Sequence, residues 1–130
     1  MRQLDTNILV AYLRGNPSIV ARIDDRADEF ALSSLVLAEL LYGARTSLRA
    51  AENLSRVRQL GEVLEVVPFT EACADVYGEI RAELRRIGRP SGDIDTLIAS
   101  VAIAHGAVLV TNNSRHFTWI DRLQLETWPN

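Results

Sequence analysis

Lysine is missing from this 130-residue chain, and all 14 of its basic residues are arginine. The single cysteine, Cys73, excludes an internal disulfide and any zinc site that needs several cysteines. Because Cys73 lies in a segment of helical character, we expect it to be a small buried side chain. No apolar run approaches the ~20 residues that a membrane span needs, and no secretory apolar region follows the N-terminus. These absences predict a cytoplasmic protein without a membrane anchor.

The length and composition are those of an ordinary globular domain. A chain of 130 residues buries roughly two-thirds of its unfolded surface, which predicts a single domain over residues 1–130. Apolar residues make up 48% of the chain and charged residues 24%, and the net charge of −3 does not favour a nucleic-acid partner. Arginine binds phosphate through two hydrogen bonds at once, but a GC-rich genome explains an arginine-only composition more simply. The charge therefore leaves the partner open.

Four acidic residues occupy positions where the surrounding sequence is apolar. Asp5 follows a short apolar start, Glu39 is the only charge in LSSLVLAELLYGA, and Asp93 and Asp95 open the segment DIDTLIASVAIAHGA. A carboxylate in a low-dielectric environment loses hydration worth several kcal/mol, so a positive partner must compensate for the loss. Since arginine is absent from these segments and lysine from the whole chain, a divalent cation is the natural candidate.

Strand-like and helix-like segments alternate along the chain, which predicts a parallel sheet between layers of helices. Strands are expected near residues 2–5, 30–32, 63–67, 108–111 and 123–127. Helices are expected near 7–14, from Pro17 onward, around Glu39, near 46–61 with Leu48, Leu54, Val57 and Leu60 as the apolar side, near 71–87, and from Asp93 to the stop at Gly106. Ser33 or Ser34 is placed to cap the helix that carries Glu39, and Thr70 caps the helix that follows it.

Each of the four acids also has a purely structural interpretation. Asp5 is placed to cap the first helix, and Asp93 is placed to cap its own helix. Asp95 would gain up to about 1 kcal/mol from the dipole of the helix that it opens. Glu39 has apolar neighbours on every side, which predicts a helix buried all round; its alternatives are an exposed rim position or a distant arginine partner.

Whether the four acids can meet depends on the topology of the sheet. Ligands of open parallel sheets bind at the carboxyl ends of the strands, where Asp5 and residues 111–114 are expected. Asp93 and Asp95 begin a helix, and we expect the start of a helix at the opposite edge unless the topology brings the two together. A single acidic cluster is therefore a hypothesis that spacing alone does not supply.

The available ligand atoms narrow the choice of metal. Oxygen ligands without a cysteine cluster favour the hard cations Mg²⁺ and Mn²⁺. A carboxylate-bound ion of this kind generates hydroxide from water, and it or a second ion neutralises charge on the leaving oxygen of a phosphodiester. One of the acids would also accept a proton from the attacking water. Neither histidine is spaced to form a metal pair with the acids, and His105 is expected to interact with the end of its helix.

Four segments occur in the order and spacing of a known family: LDTN, SSLVLAELLYGA, GDIDTLIASVAIAHGAVLVTNNSRHF and LQLETW. Together they resemble the PIN-domain ribonucleases, most closely the VapC-type toxins of bacterial toxin–antitoxin pairs, over nearly the whole chain. The resemblance implies a three-layer α/β/α domain with a central parallel sheet, RNA cleavage that depends on Mg²⁺ or Mn²⁺, and commonly a homodimer. It also implies a cognate antitoxin protein that inserts a C-terminal segment near the active site.

The resemblance also assigns roles to individual residues. The acids of the family fall on Asp5, Glu39 and Asp95, with Asp93 as an additional acid that is equally suited to capping a helix. Many PIN domains carry a further aspartate where this chain has Asn113, which leaves open whether one or two metal ions bind. Weaker candidates for supporting the site, or for contacting phosphate or water, are Thr6, Asn7, Thr111, Asn112, Asn113, Ser114 and Arg115.

Three functions are compatible with the sequence. The first is a metal-dependent endoribonuclease of the toxin type, and the second is a PIN-like module that holds RNA or protein without cleavage. The third is a metal-dependent phosphatase. The presence of all three family acids disfavours the second function. The sequence names neither the RNA nor the antitoxin, and the candidate RNA contacts are the arginines that flank the acidic segments: Arg45, Arg49, Arg89 and Arg115.

Overall fold

The centre of the molecule is a sheet of five short parallel strands. The computed structural model describes residues 1–89 and 92–129. The strands are β1 (Arg2–Leu4), β2 (Phe30–Ser33), β3 (Glu65–Val67), β4 (Val108–Thr111) and β5 (Gln124–Thr127). They are arranged in the order β3-β2-β1-β4-β5, with every neighbouring pair parallel.

Helices flank this sheet, as the alternation of segments predicts, and the expected α/β/α architecture is confirmed. They are α1 (Thr6–Leu13), α2 (Pro17–Asp24), α3 (Ser34–Arg45), α4 (Ala50–Val63), α5 (Glu71–Arg86) and α6 (Asp93–Ala104), with short 3-10 turns at Ala27–Glu29 and Ser114–Phe117. Across the described residues, no helix combines the length and the apolar character that a membrane span requires.

The order of the strands creates one crevice at the carboxyl edge of the sheet. The chain starts at the central strand β1, adds β2 and β3 on one side, and then returns to add β4 and β5 on the other side. Leu4 pairs with Val110, so Asp5, directly after β1, lies beside Thr111, the last residue of the neighbouring strand β4. Such a switch point is where ligands bind in parallel α/β sheets, because the connections diverge there and leave a gap.

A tight turn ends α1 and sets the direction of α2. Gly15 has φ of +80°, a left-handed conformation that only glycine adopts at little cost, and it follows Arg14, the C-terminal cap of α1. Asn16 then caps α2 by accepting hydrogen bonds from the backbone N–H groups of Ser18 and Ile19. Pro17 occupies the first helical position, where its missing N–H is not needed.

Two predicted caps are also confirmed. Ser33 caps α3 by accepting a hydrogen bond from Val36 N at 3.2 Å, and Thr70 caps α5 by accepting one from Cys73 N at 3.4 Å. Cys73 is fully buried, as expected. It belongs to a small apolar cluster with Ala31, Val67 and Val101, beside the main core.

The predicted start of α4 was wrong. The helix begins at Ala50 rather than near residue 46, and Leu48 is fully exposed instead of lying on its apolar side. The hydroxyl of Ser47 donates to the carbonyl of Ala44 at 2.6 Å, so the chain here closes the end of α3 and does not yet open a new helix. Val57 and Leu60 are buried as expected.

The expectation that α3 is buried all round was also wrong. Its buried residues are Val36, Leu40 and Ala44, which recur every four residues and form a single stripe. Tyr42 is 72% exposed, although it is part of the apolar run. A side of α3 is therefore open, and Glu39 lies next to the buried stripe, half-buried rather than sealed in the core.

Candidate active site

A groove of about 890 Å³ lies at the switch point between β1 and β4. Its walls come from the end of β1, from α1 and the turn after it, from the middle of α3, from the start of α6, and from the segment that follows β4. The lining residues are Asp5, Thr6, Asn7, Val10, Ala11, Arg14, Gly15, Asn16, Pro17, Glu39, Asp95, Asn112 and His116.

Asp5 forms the floor of this groove. It follows β1 directly and caps α1, so its structural interpretation as a helix cap is confirmed. The residue is only 5% exposed, and its carboxylate accepts hydrogen bonds from Thr6 N at 2.8 Å and from Thr111 Oγ1 at 2.8 Å. The side-chain amide of Asn7 lies 3.5 Å away. These donors fix the orientation of the carboxylate, but all of them are neutral.

Glu39 reaches the groove from the second turn of α3. Its Oε1 accepts a hydrogen bond of 2.5 Å from Thr6 Oγ1, the side chain that opens α1. Among the described residues no arginine forms an ion pair with Glu39, so a distant arginine partner is not its explanation. Thr6 therefore connects the two acids, since its backbone N–H donates to Asp5 and its hydroxyl to Glu39.

Asp95 joins the other two acids from the first turn of α6. The topology provides the exception under which a helix start can lie at the same edge of the sheet as the strand ends. Only residues 105–107 separate α6 from β4, so the helix ends where that strand begins and its start lies near the carboxyl edge. The side chain of Asp95 is 24% exposed, and its Oδ2 lies 3.2 Å from Nδ1 of His116.

The three carboxylates share one electrostatic environment. Burial raises the pKa of Asp5, and the negative charges of Asp95 and Glu39 raise it further, against the hydrogen bonds from Thr111 and Thr6. Burial also raises the pKa of Asp95, while His116 acts in the opposite direction. In the described part of the chain, neither aspartate forms an ion pair with arginine. Apart from His116 beside Asp95, the described residues thus supply no positive partner for the three carboxylates of the groove.

Asp93, the fourth acid of the sequence, lies outside the groove. The prediction that it caps α6 was wrong, because Gly92 holds the cap position and Asp93 is the first helical residue. Its carboxylate is exposed and forms an ion pair with Arg81 on α5. Asp93 and Asp95 are two residues apart on one helix, so their side chains point in different directions.

A chain of neutral hydrogen bonds supports the floor of the groove. Asn7 Nδ2 donates to Thr111 Oγ1 at 3.2 Å, and Asn7 Oδ1 accepts from the backbone N–H of Asn112 at 3.2 Å. The backbone N–H of Asn113 donates to Thr111 Oγ1 at 3.0 Å. These contacts tie the end of β4 to α1. The side chain of Asn113 lies 3.0 Å from Nε2 of His116 and does not line the groove.

The sequence did not predict that His116 lies beside an acid. The 3-10 turn Ser114–Phe117 folds the chain back after β4, with His116 N donating to Asn113 O. Phe117 is 1% exposed and anchors this turn in the core, so the preceding side chain lies at the groove. His105, by contrast, is the C-terminal cap of α6 as expected, with Nδ1 2.9 Å from the carbonyl of Val101.

The arginine of the groove is not one of those chosen from the sequence. The four candidates are all exposed, and none lines the groove: Arg45, Arg49, Arg89 and Arg115. Arg14 lines it instead. Helical spacing could have predicted that Arg14 lies at the groove. Asn7, Ala11 and Arg14 are separated by four and three residues and therefore share one face of α1.

The donor atoms of the groove suit a hard divalent cation. They are carboxylate, amide and hydroxyl oxygens, together with the imidazole nitrogens of His116 and no sulfur. Within residues 1–89 and 92–129, no group of three or more Asp, Glu, His or Cys side chains is placed to hold a metal ion together, so the three acids line the groove without forming a preassembled metal site. An ion here would be held by few protein ligands and would keep several waters, as Mg²⁺ commonly does.

Comparison with known proteins identifies the family. The family model described as PIN domain matches residues 3–123. The chain belongs to the PIN-domain family. The resemblance inferred from the four sequence segments is thereby confirmed.

Relatives of this PIN domain match it from end to end. It is 37% identical over 126 residues to the tRNA(fMet)-specific endonuclease VapC of Shigella flexneri, with 96% of each chain covered. It is 41% identical over 128 residues to Ribonuclease VapC2 of Rickettsia felis, again with 96% of each covered. Among solved structures, DNA-bound VapBC from Salmonella typhimurium matches with a TM-score of 0.92 and 38% identity, over 98% of this chain and 97% of that one.

Proposed function

We propose that this chain is a divalent-metal-dependent endoribonuclease that hydrolyses RNA phosphodiester bonds and acts as the toxin of a toxin–antitoxin pair. The observation that carries the proposal is the convergence of Asp5, Glu39 and Asp95 in one groove without an arginine partner among the described residues. Uncompensated carboxylates at the switch point of a parallel sheet are suited to a cation that activates water. Full-length relatives named as ribonucleases support the same activity.

Asp5, Glu39 and Asp95 would hold Mg²⁺ or Mn²⁺, and the bound ion would supply hydroxide and neutralise charge on the leaving oxygen. Thr111 and the backbone N–H of Thr6 keep the Asp5 carboxylate oriented into the groove. The hydroxyl of Thr6 orients Glu39 through one oxygen. The other oxygen of Glu39 is thus available to accept a proton from the attacking water.

One metal ion is the number that these residues support. Asn113 has no charge, and its side chain does not line the groove. Asp93 is committed to Arg81 outside the groove and would supply no ligand. The weaker candidates divide in the same way: Thr6, Asn7 and Thr111 support the acids, whereas Arg115 lies outside the groove.

The substrate and partners are proposed from the relatives. The name of the Shigella flexneri relative specifies tRNA(fMet), which makes the initiator tRNA the first RNA to test. The Salmonella typhimurium structure contains VapBC, and we propose a cognate antitoxin for this chain as well. We further propose that residues 1–130 act as a single domain, that the protein forms a homodimer, and that it acts in the cytoplasm, where its RNA substrates are.

The two acids of α6 provide a matched experiment. Purified wild-type protein, Asp95→Asn and Asp93→Asn are incubated with initiator tRNA and with total RNA, in Mg²⁺, in Mn²⁺ and in EDTA, and the RNA ends are mapped. We expect cleavage by the wild type and by Asp93→Asn in either metal and none in EDTA. Asp95→Asn should lose at least about a hundredfold in rate, because even residues that only support metal ligands cost ten- to a hundredfold.

Two results would contradict the proposed function. One is cleavage that persists in EDTA or in Asp95→Asn. The other is retention of RNA without cleavage across several metals and substrates, which would indicate a binding module instead. Turnover of an aryl phosphate but not of RNA would indicate a phosphatase.

A further inference from the structure

The groove has two ends of opposite charge. The acidic end lies around the start of α1, which Asp5 caps and where Glu39 of α3 and Asp95 of α6 also line the groove. The basic end is formed by Arg14, which follows the end of the same helix at the turn with Gly15. The eight residues of α1 span about 12 Å, at a rise of about 1.5 Å per residue. A groove-bound chain would therefore pass the acids and Arg14 at two different points along its length.

The guanidinium of Arg14 is free to bind a ligand. It is exposed and, within the described residues, forms no hydrogen bond, ion pair or ring contact. Most other arginines are engaged. Arg56, on α4, donates to the carbonyl of Leu13. Other arginines pair with acids or stack on rings, namely Arg2, Arg22, Arg26, Arg49, Arg81, Arg86, Arg89 and Arg122.

We infer that Arg14 forms a phosphate subsite in the groove and binds an RNA phosphate that flanks the scissile one. This inference rests on the proposed ribonuclease function. The acidic end repels a phosphodiester chain unless a cation is bound, so a fixed positive charge further along the groove helps to hold the chain in place. Arginine suits this task because its planar guanidinium donates two hydrogen bonds to one phosphate.

RNA is favoured over an acidic protein segment because the two ends of the groove are continuous. An anion at Arg14 lies along the same groove as the acids, beyond the far end of α1, and so on the path of a polymer whose phosphate reaches the acids. A repeating polyanion satisfies both points with one chain. Arg14 would thus position the substrate and take no part in the chemical step.

The salt dependence of RNA binding tests this inference. Binding of a labelled single-stranded RNA of 12 nucleotides is measured in Mn²⁺, in an Asp95→Asn background that suppresses cleavage. Arg14→Gln should weaken binding about tenfold and lower the slope of log K against log salt by about 0.7, the share of one phosphate contact on a single strand. Arg14→Lys should keep the slope, because it keeps the charge. The matched control is Arg58→Gln on α4, an exposed arginine outside the groove, which should change neither quantity.

Neutral linkages then locate the phosphate. A series of RNAs, each with one uncharged methylphosphonate at a successive position, is bound by both proteins. In the parent protein, one linkage flanking the cleavage position should cost about tenfold in affinity, and that loss should disappear in Arg14→Gln. Such coupling between a side chain and a single linkage would not arise from a general change in surface charge.

Several outcomes would overturn the inference while leaving the proposed function intact. One is an equal salt slope in Arg14→Gln and its parent when wild-type protein cleaves RNA normally. Another is a loss shared by Arg58→Gln, which would indicate only nonspecific charge. A third is unchanged RNA binding together with lost binding of a ten-residue polyglutamate peptide, which would assign Arg14 to a protein partner. By contrast, a wild type that neither binds nor cleaves RNA would contradict the proposed function itself.

Discussion

Acidic residues of the outer surface and acidic residues of the groove are treated differently by the same fold. In the described part of the chain, six of the 14 acidic residues outside the groove form an ion pair with an arginine: Glu29, Glu52, Glu79, Glu83, Asp93 and Glu126. The groove acids form none, although exposed pairs of this kind contribute little and buried charges need compensation most. The ion pairs with arginine therefore lie mainly on the exposed surface, where such pairs contribute least to stability. This difference is expected if a ligand, rather than the chain, neutralises the groove.

The contrast is sharpest within α6. Asp93 and Asp95 are separated by one residue, yet Asp93 is exposed and paired with Arg81, while Asp95 faces the groove beside His116. Helix geometry alone separates them, because residues two apart do not share a face. An acidic residue in a motif therefore becomes a candidate ligand through the direction of its side chain rather than through its position in the sequence.

The largest expected effect comes from removing the most buried groove charge. Asp5→Asn should reduce RNA cleavage at least about a hundredfold, because the site loses a metal ligand. The fold should survive, since the asparagine oxygen still caps α1. Cleavage rates and circular dichroism measure the two properties. An active Asp5→Asn protein would show that the groove charge is not used.

The pH dependence of the free energy of unfolding tests the raised pKa of Asp5, an acid without an arginine partner among the described residues. Because the pKa of Asp5 is raised in the folded protein, the folded state holds its proton more tightly than the unfolded state. The metal-free wild type should therefore lose stability relative to Asp5→Asn as pH rises from about 4 through the folded pKa, and no further above it. Urea unfolding in EDTA between pH 4 and 7 measures this difference. A difference that does not change with pH would contradict the raised pKa.

A buried neutral side chain, that of Gln3, allows the free-energy cost of burying a polar group to be compared with the cost of burying a charge. Gln3 lies two residues before Asp5 on β1, is 1% exposed, and has no hydrogen-bond partner for either side-chain polar atom among the described residues. Gln3→Met should stabilise the fold by about 1–2 kcal/mol, because it removes two unsatisfied polar atoms at similar volume. Urea unfolding measures the gain, and cleavage should not change. A destabilised Gln3→Met would mean that the amide makes buried contacts that this account lacks.

The smallest effect is expected on the outer surface. Arg81→Gln breaks the pair with Asp93 and should shift the melting temperature by no more than about 2 °C, with cleavage unchanged. The shift should shrink further at high salt, since screening weakens exposed pairs. A large loss of stability or activity would show that the α5–α6 surface matters more than its exposure indicates.

Much of the fold was predictable because its signals are local. The strands, the caps at Ser33 and Thr70, and the parallel arrangement follow from residue type and spacing. Local reasoning failed where a tertiary contact decides the outcome. Leu48 has a suitable residue type for a helix face, but the hydrogen bond of Ser47 to Ala44 ends one helix there and exposes it.

The site was predictable in composition but not in arrangement. Family resemblance and burial cost both indicated Asp5, Glu39 and Asp95, yet spacing alone left open whether Asp95 could meet the other two. Its true position follows from the short connection between α6 and β4, a property of the topology. The position of His116 depends on the 3-10 turn Ser114–Phe117. The burial of Phe117 in the core fixes this turn, and no local residue pattern predicts it.

Divalent-ion binding tests the central claim most directly. Wild-type protein, Asp5→Asn and Asp93→Asn are freed of metal with EDTA, dialysed, and titrated with Mn²⁺ or Mg²⁺ by calorimetry, with thermal unfolding in parallel. We expect wild type and Asp93→Asn to bind one ion per chain and to gain about 2.7 kcal/mol of stability at a hundredfold excess over the dissociation constant. Asp5→Asn should show neither response. A wild type without saturable binding, or an Asp5→Asn protein that binds equally well, would contradict the claim that a metal ion neutralises the groove.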